Sequence, residues 1–82
     1  MDTCYMGINQ VATGERIKAL RKACGLKVTD ISSYMGFESP QAVYKWQRGE
    51  TLPTLENLAA LACILDVSMD DILAVECRRA GS

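Results

Sequence analysis

The spacing of apolar and polar residues between residues 13 and 76 predicts five helices and no strand. Apolar residues recur three and four positions apart, which places them on one side of each helix, and polar residues fill the positions between. The inward positions predicted in this way are Ile17, Leu20 and Cys24 in the first helix, Ile31 and Met35 in the second, Val43 and Trp46 in the third, Leu55, Leu58, Leu61, Ala62 and Leu65 in the fourth, and Met69, Ile72 and Leu73 in the fifth. The fold class is therefore all-α.

Capping residues and glycines mark the ends of these helices. The N-caps indicated by side-chain type are Thr13, Ser39, Thr54 and Ser68, and the terminating glycines are Gly25, Gly36 and Gly49. Pro40 suits the first position of the third helix, where no amide hydrogen is needed. Residues 1–12 show no period and are interpreted as a flexible N-terminal arm, residues 13–76 as the domain, and residues 77–82 as a C-terminal tail that frays.

The third helix presents one side built for polar contacts. Gln41, Tyr44, Lys45 and Arg48 share that side, opposite the apolar pair of the same helix. Amide, phenol, ammonium and guanidinium groups suit the major groove of DNA, where Gln bonds to adenine and Lys donates to guanine or phosphate. A solvated surface helix would show the same residue types, so the helix alone leaves both interpretations open.

Length and composition describe a small binding module. A chain of 82 residues with 49% apolar residues supports one domain with a modest core. No apolar run approaches the roughly 20 residues needed to cross a bilayer, and the first residues lack the pattern of a secretion signal. We therefore expect a cytoplasmic protein.

Charge is divided unevenly along the chain. The net charge is only −1, which by itself argues against a polyanionic partner. From Glu15 to Arg48, however, seven basic residues stand against three acidic ones, a net charge of +4, whereas Gly49 to Glu76 carries six acidic and no basic residues. Such polarity can orient a domain on nucleic acid.

The sequence gives no support for a metal, a cofactor or catalysis. The four cysteines are far apart and histidine is absent, so no metal-ligand spacing occurs and four free thiols are expected. Cys24 and Cys63 are predicted at or near the core, and Cys4 and Cys77 in more exposed segments. No carboxylate pair suggests a shared catalytic pocket, so we expect neither cofactor nor enzymatic activity.

Blocks of residues in a fixed order identify a resemblance. They are Gly14-Glu15-Arg16-Ile17, Leu20-Arg21-Lys22, Gly25-Leu26, Met35-Gly36, Ala42-Val43-Tyr44-Lys45-Trp46 with Arg48-Gly49, Pro53-Thr54-Leu55 and Leu65-Asp66-Val67-Ser68. In this order they resemble the Xre/Cro-type helix-turn-helix family, the fold of lambda repressor-like regulators. The resemblance implies a compact five-helix DNA-binding domain with the helix-turn-helix at helices two and three. It also implies a homodimer on a palindromic operator, with the third helix in the major groove.

Four features depart from the family pattern. Val28 stands where the family often has a Gln that reaches a phosphate, and Glu50 follows the third helix where a basic residue is common. The turn before the third helix is one residue longer. Gln47 replaces a Glu, so that Arg21 would meet it through a hydrogen bond and not an ion pair. These departures indicate weaker contacts to the DNA backbone, or contacts from other residues.

Two functions follow from these observations. The first is sequence-specific binding of double-stranded DNA by a transcriptional regulator of the repressor type. In it Gln41, Tyr44 and Lys45 read bases, while Lys27, Thr29, Ser39 and Arg48 contact the backbone. The alternative is a protein–protein interaction module, antitoxin-like or a regulatory partner, that retains the fold. This second interpretation is favoured by the net negative charge of the chain and by the residues Val28 and Glu50. The fifth helix and the tail, with Val75 and Cys77, are the predicted dimer surface.

Overall fold

The computed structural model describes residues 3–80, with the side chains of residues 7–76. In chain order the elements are β1 (Thr3–Ile8), α1 (Gln10–Ala23), α2 (Val28–Met35), α3 (Gln41–Gln47), α4 (Leu55–Leu65), α5 (Met69–Ile72) and β2 (Val75–Ala80). The outer ends of the predicted arm and tail, Met1, Asp2, Gly81 and Ser82, lie outside the described residues. The five predicted helices are present in the predicted order.

A single apolar core joins the five helices. It consists of Ile17, Val28, Ile31, Val43, Trp46, Leu58, Leu61, Leu65 and Ile72. The first helix packs against α3 and α5, α2 packs against α3 and α4, and α4 packs against α5. Every helix thus contributes at least one side chain to the same buried cluster, as the apolar spacing predicted.

Two strands were not predicted from the sequence. β1 and β2 pair antiparallel, from Thr3 opposite Ala80 to Ile8 opposite Val75. The expectation of no strand was therefore wrong. Residues 3–8 of the predicted arm pair with residues 75–80, which are the last two residues of the predicted domain and the first four of the predicted tail. The pairing joins the two ends of the chain, so neither segment carries a local turn signal that could have revealed it.

The first helix begins earlier than predicted. It starts at Gln10, and its N-cap is Asn9, whose side-chain oxygen accepts a hydrogen bond from the backbone N–H of Ala12 at 3.0 Å. Thr13, predicted as the cap, is fully buried, and its hydroxyl oxygen accepts a hydrogen bond from the backbone N–H of Ala74 at 3.0 Å. The same Ala74 accepts from the backbone N–H of Asn9 at 2.8 Å. These bonds connect the start of α1 to the chain that leaves α5.

The other predicted ends are mostly confirmed. Gly25, Gly36 and Gly49 all adopt positive φ after a helix, and Thr54 and Ser68 cap α4 and α5 with their side-chain oxygens. Ser39 is an exception. The N-cap of α3 is Pro40, without a side-chain cap bond. A proline at the cap fixes φ but has no side-chain acceptor to offer the first N–H groups of the helix.

Four predicted inward positions are in fact exposed. Leu55 is 76% exposed and Met69 is 38% exposed. Both are the first residues of their helices, directly after the cap, where the chain has not yet turned toward the core. Cys24 and Cys63, predicted at or near the core, are exposed free thiols. Cys24 is the C-cap of α1, directly after the last residue of the helix.

Candidate nucleic-acid interface

The outer side of α3 is open to solvent over its whole length. Gln41, Lys45 and Arg48 are exposed, and Tyr44 keeps 43% of its surface accessible. Residues separated by three, four and seven positions lie on one side of a helix, so these four side chains form one polar face. We call this set of four the α3 polar face. The predicted base-reading residues are therefore brought together on one helix side.

The opposite side of α3 anchors the helix in the core. Val43 is fully buried and Trp46 is only 4% exposed. The indole of Trp46 meets the ring of Phe37 edge to face, with ring centroids 5.9 Å apart and planes at 70°. Trp46 was predicted as an inward residue of the third helix, and its burial is confirmed.

A glycine in α1 allows α3 to approach closely. Gly14 is buried in the first half of α1, and a Cβ atom there would overlap the backbone carbonyl oxygen of Trp46 and lie 2.7 Å from that of Gln47. Two helix backbones can come this near only where one side chain is absent. From the sequence, Gly14 was identified in a family block, but its role was not predicted. The available signal was a glycine inside an otherwise helical pattern.

Arg21 connects three parts of the domain around α3. Its Nε donates to the side-chain oxygen of Gln47 at 2.9 Å, and its Nη1 donates to the backbone carbonyl oxygen of Leu26 at 2.8 Å. The predicted hydrogen bond between Arg21 and Gln47 is thus confirmed. Because Leu26 lies between α1 and α2, this one guanidinium fixes α3 relative to both earlier helices.

The predicted backbone-contacting residues lie at the start of α2 and before α3. Lys27 is the N-cap of α2, where its backbone N–H donates to a carboxylate oxygen of Asp30 at 2.8 Å. Thr29 is exposed on the first turn of α2, and Ser39 is exposed in the connector to α3. Val28 is only 7% exposed and belongs to the core. The position where the family often carries a phosphate-binding amide therefore contributes to packing here.

The end of α3 carries a pair of opposite charges. Nε of Arg48 donates to a carboxylate oxygen of Glu50, and the two side chains remain 58% and 51% exposed. From the sequence, Glu50 was interpreted only as one of the departures that weaken contacts to the DNA backbone. Its pairing with Arg48 was missed, although a spacing of two residues across a glycine turn brings the two side chains to the same helix end.

Other kinds of site are not supported in the described part of the chain. Among these residues no three Cys, Asp or Glu side chains come together in a way that could hold a metal ion. None of their helices combines the length and apolar character that crossing a bilayer requires.

Comparison with known proteins identifies the family of this fold. The family model described as helix-turn-helix matches residues 17–72. Repressor protein C2 of Salmonella phage P22 is 38% identical over 66 residues, which cover 80% of this chain but only 30% of that protein. The crystal structure of the P22 c2 repressor in complex with a synthetic operator is 39% identical and superposes with a TM-score of 0.69, covering 74% of this chain and 91% of that one.

Two further solved structures share the fold. The restriction-modification controller protein C.AhdI from Aeromonas hydrophila is 28% identical, with a TM-score of 0.70 over 77% of this chain and 94% of that one. Hydroxypropylphosphonic acid epoxidase from S. wedmorenis has a TM-score of 0.72, but it is 24% identical and only 35% of it is covered, so that likeness concerns the fold alone. The match of the family model over most of the described helices establishes that this chain belongs to the helix-turn-helix family.

Proposed function

We propose that this protein binds double-stranded DNA sequence-specifically and acts as a transcriptional regulator of the repressor type. The observation that carries the proposal is the α3 polar face, held outward by the burial of Val43 and Trp46. The P22 repressor, which shares this fold at 39% identity, is bound to an operator in its crystal structure. Because the chain spans 30% of the curated P22 relative, the proposal concerns the DNA-binding unit and does not extend to the rest of that protein.

Within this proposal the α3 polar face reads bases from the major groove. Gln41 is the first residue of α3, the end that enters a groove most deeply, and its amide both donates and accepts as adenine requires. Tyr44 lies one turn further along and can reach a base edge or a thymine methyl group. Lys45 is next to it and can donate to guanine or to a phosphate.

The remaining contacts are to the DNA backbone, which positions the domain without reading sequence. We assign them to Lys27, Thr29, Ser39 and Arg48, all of which are exposed at the start of α2 or at the two ends of α3. The burial of Val28 removes one contact that the family often makes. Lys27 and Thr29, on either side of Val28, are the nearest residues that can replace it.

We further propose a homodimer on a palindromic operator in the cytoplasm, because one short recognition helix reads too few base pairs for useful specificity. The proposed contact surface includes α5 and the strand that follows it. Val75 in that strand is 51% exposed, and Ile8, opposite it in the sheet, is 45% exposed. Apolar side chains exposed side by side are available for burial in such a contact.

A second candidate is an interaction module that uses the same fold on a protein partner. The burial of Val28 and the acid at position 50 favour it, since both reduce attraction to phosphate. Neither proposal includes an enzymatic reaction, because the two more similar proteins are named a repressor and a restriction-modification controller protein.

Selection of bound sites from a random pool of duplex DNA, followed by titration of the selected duplex at low and high salt, tests the proposal. A DNA-binding protein will enrich a two-fold symmetric sequence, and its affinity will fall steeply as salt rises because bound counterions are released from phosphate. An interaction module will enrich no sequence and show no such dependence on salt. That outcome would contradict DNA binding and favour the protein-binding alternative.

A further inference from the structure

The chain after α3 folds back onto the helix and fixes the position of Glu50. Gly49 adopts a φ of +74°, a conformation that other residues rarely take. Its N–H donates to the carbonyl oxygen of Trp46 at 3.1 Å, and the N–H of Glu50 donates to that of Lys45 at 3.0 Å. These two bonds form the Schellman arrangement that closes many helices. The backbone of Glu50 is therefore held against the last turn of the recognition helix.

The first helix holds this turn in place from the other side. A Cβ atom on Gly49 would lie 2.8 Å from the α-carbon of Val11, so the turn is in direct backbone contact with α1. Glu50 consequently projects from a fixed point of the domain. Its carboxylate is available to whichever basic group lies at the end of α3.

That basic group is Arg48, and the two residues form the one ion pair whose partners both lie within residues 7–76. The stability of the folded domain gives little reason for a glutamate at position 50. An ion pair this exposed contributes little because water screens it, and a carboxylate at the C-terminal end of a helix is opposed by the helix dipole. Lys45, also on the α3 polar face, has no acidic partner in the described part of the chain.

We infer that Glu50 is an affinity-setting residue that holds Arg48 in an internal pair and so competes with DNA phosphate for its guanidinium. DNA binding then requires Arg48 to exchange one anion for another, so it contributes less attraction and less counterion release than a free arginine would. Lys45, which has no such competitor, contributes in full. This inference rests on the proposed function. It adds that the Arg48–Glu50 pair lowers the affinity for DNA.

Four proteins test the inference: the wild type, Glu50→Gln, Arg48→Gln and the double variant. Each is titrated by fluorescence anisotropy against one mixed-sequence duplex over a series of salt concentrations, since backbone contacts need no operator. We expect Glu50→Gln to bind about two- to fivefold more tightly, the range of an exposed ion pair, and to have a salt slope steeper by about 0.9. In the Arg48→Gln background the same change should alter affinity less than about twofold.

A matched control separates this local effect from net charge. Glu15→Gln removes the same charge from an exposed position on α1 and should change affinity less than Glu50→Gln does. Equal gains from Glu50→Gln with and without Arg48 would overturn the inference, because the acid would then act by direct repulsion. No gain in either background would overturn it as well. If the wild type itself shows no salt-dependent binding while it remains folded, the proposed function fails together with the inference. Salt-dependent binding that is insensitive to Glu50 overturns only the inference.

Discussion

The backbone of Gly14 in α1 lies directly against the backbone of Trp46 in α3, with no space for a side chain between them. This contact sets the distance between the first helix and the proposed recognition helix. Gly14→Ala should therefore destabilise the domain by about 1–3 kcal/mol, the usual cost of overpacking, even though alanine favours a helix interior by about 0.5–1 kcal/mol. Urea denaturation followed by circular dichroism measures the change.

Gly7→Ala is the matched control for that substitution. A Cβ atom on Gly7 would meet nothing within 4 Å, so the same chemical change has open space there. We expect the midpoint of the Gly7→Ala transition to stay close to that of the wild type. An unchanged or raised midpoint for Gly14→Ala would contradict the close contact between α1 and α3.

Thr13 should be required for its hydroxyl group and not for its shape. Thr13→Val keeps the volume but leaves the backbone N–H of Ala74 without its acceptor in a buried place. An unpaired buried donor costs about 1–3 kcal/mol, so the valine variant should unfold at lower urea. Thr13→Ser, which keeps the oxygen, should recover most of the loss. Similar stabilities for the valine and serine variants would show that this hydrogen bond contributes nothing.

The sequence predicted the helices better than their ends. The spacing of apolar residues predicted the five helices because each helix buries one side. The type of capping residue predicted where α4 and α5 begin, since Thr54 and Ser68 directly precede them. It failed at Thr13, because a buried hydroxyl group and a cap have the same residue type. It also failed for the sheet, whose two strands are far apart in the sequence and pair only in the folded chain.

Trp46→Ala should unfold the domain and not act on DNA binding alone. Its indole is 4% exposed and packs on Phe37. Removal of a buried tryptophan costs about 3–5 kcal/mol, whereas a chain of this size has about 4–12 kcal/mol in total. Thermal denaturation followed by circular dichroism measures the helical signal and the melting temperature of the variant. A variant with the helical signal and melting temperature of the wild type would contradict the role given to Trp46 in anchoring α3.

The hydrogen bond between Arg21 and Gln47 should become stronger if the acceptor is charged. Gln47→Glu replaces a neutral acceptor 2.9 Å from Nε of Arg21 with a carboxylate. Since charge-assisted bonds are about twice as strong as neutral ones, we expect the free energy of unfolding to rise by about 0.5–1 kcal/mol. In an Arg21→Gln background the sign should reverse, because an unpaired carboxylate would then face the negative end of the helix dipole. A gain of the same size in both backgrounds would exclude the pairing as its cause.

The residues of the candidate site could be predicted from the sequence, but their contacts with other parts of the domain could not. The spacing of Gln41, Tyr44 and Lys45 places them on one face, and the backbone confirms that arrangement. Spacing could not show that Arg48 is engaged by Glu50, because that contact depends on the positive φ of the glycine between them. Nor could it show that Gly14 fixes the position of α3, which requires the packed pair of helices.

We propose above all that α3 reads DNA sequence. The most direct measurement is the affinity of Gln41→Ala and of Lys45→Ala for the selected duplex and for a scrambled one, each at two salt concentrations. Gln41→Ala should weaken binding to the selected duplex by about 1–3 kcal/mol, have little effect on the scrambled one and relax the choice at one base pair. Lys45→Ala, if its main contact is to phosphate, should weaken both and flatten the salt slope by about one unit. Equal losses on both duplexes for Gln41→Ala, or no loss for either variant, would contradict the claim that this face reads bases.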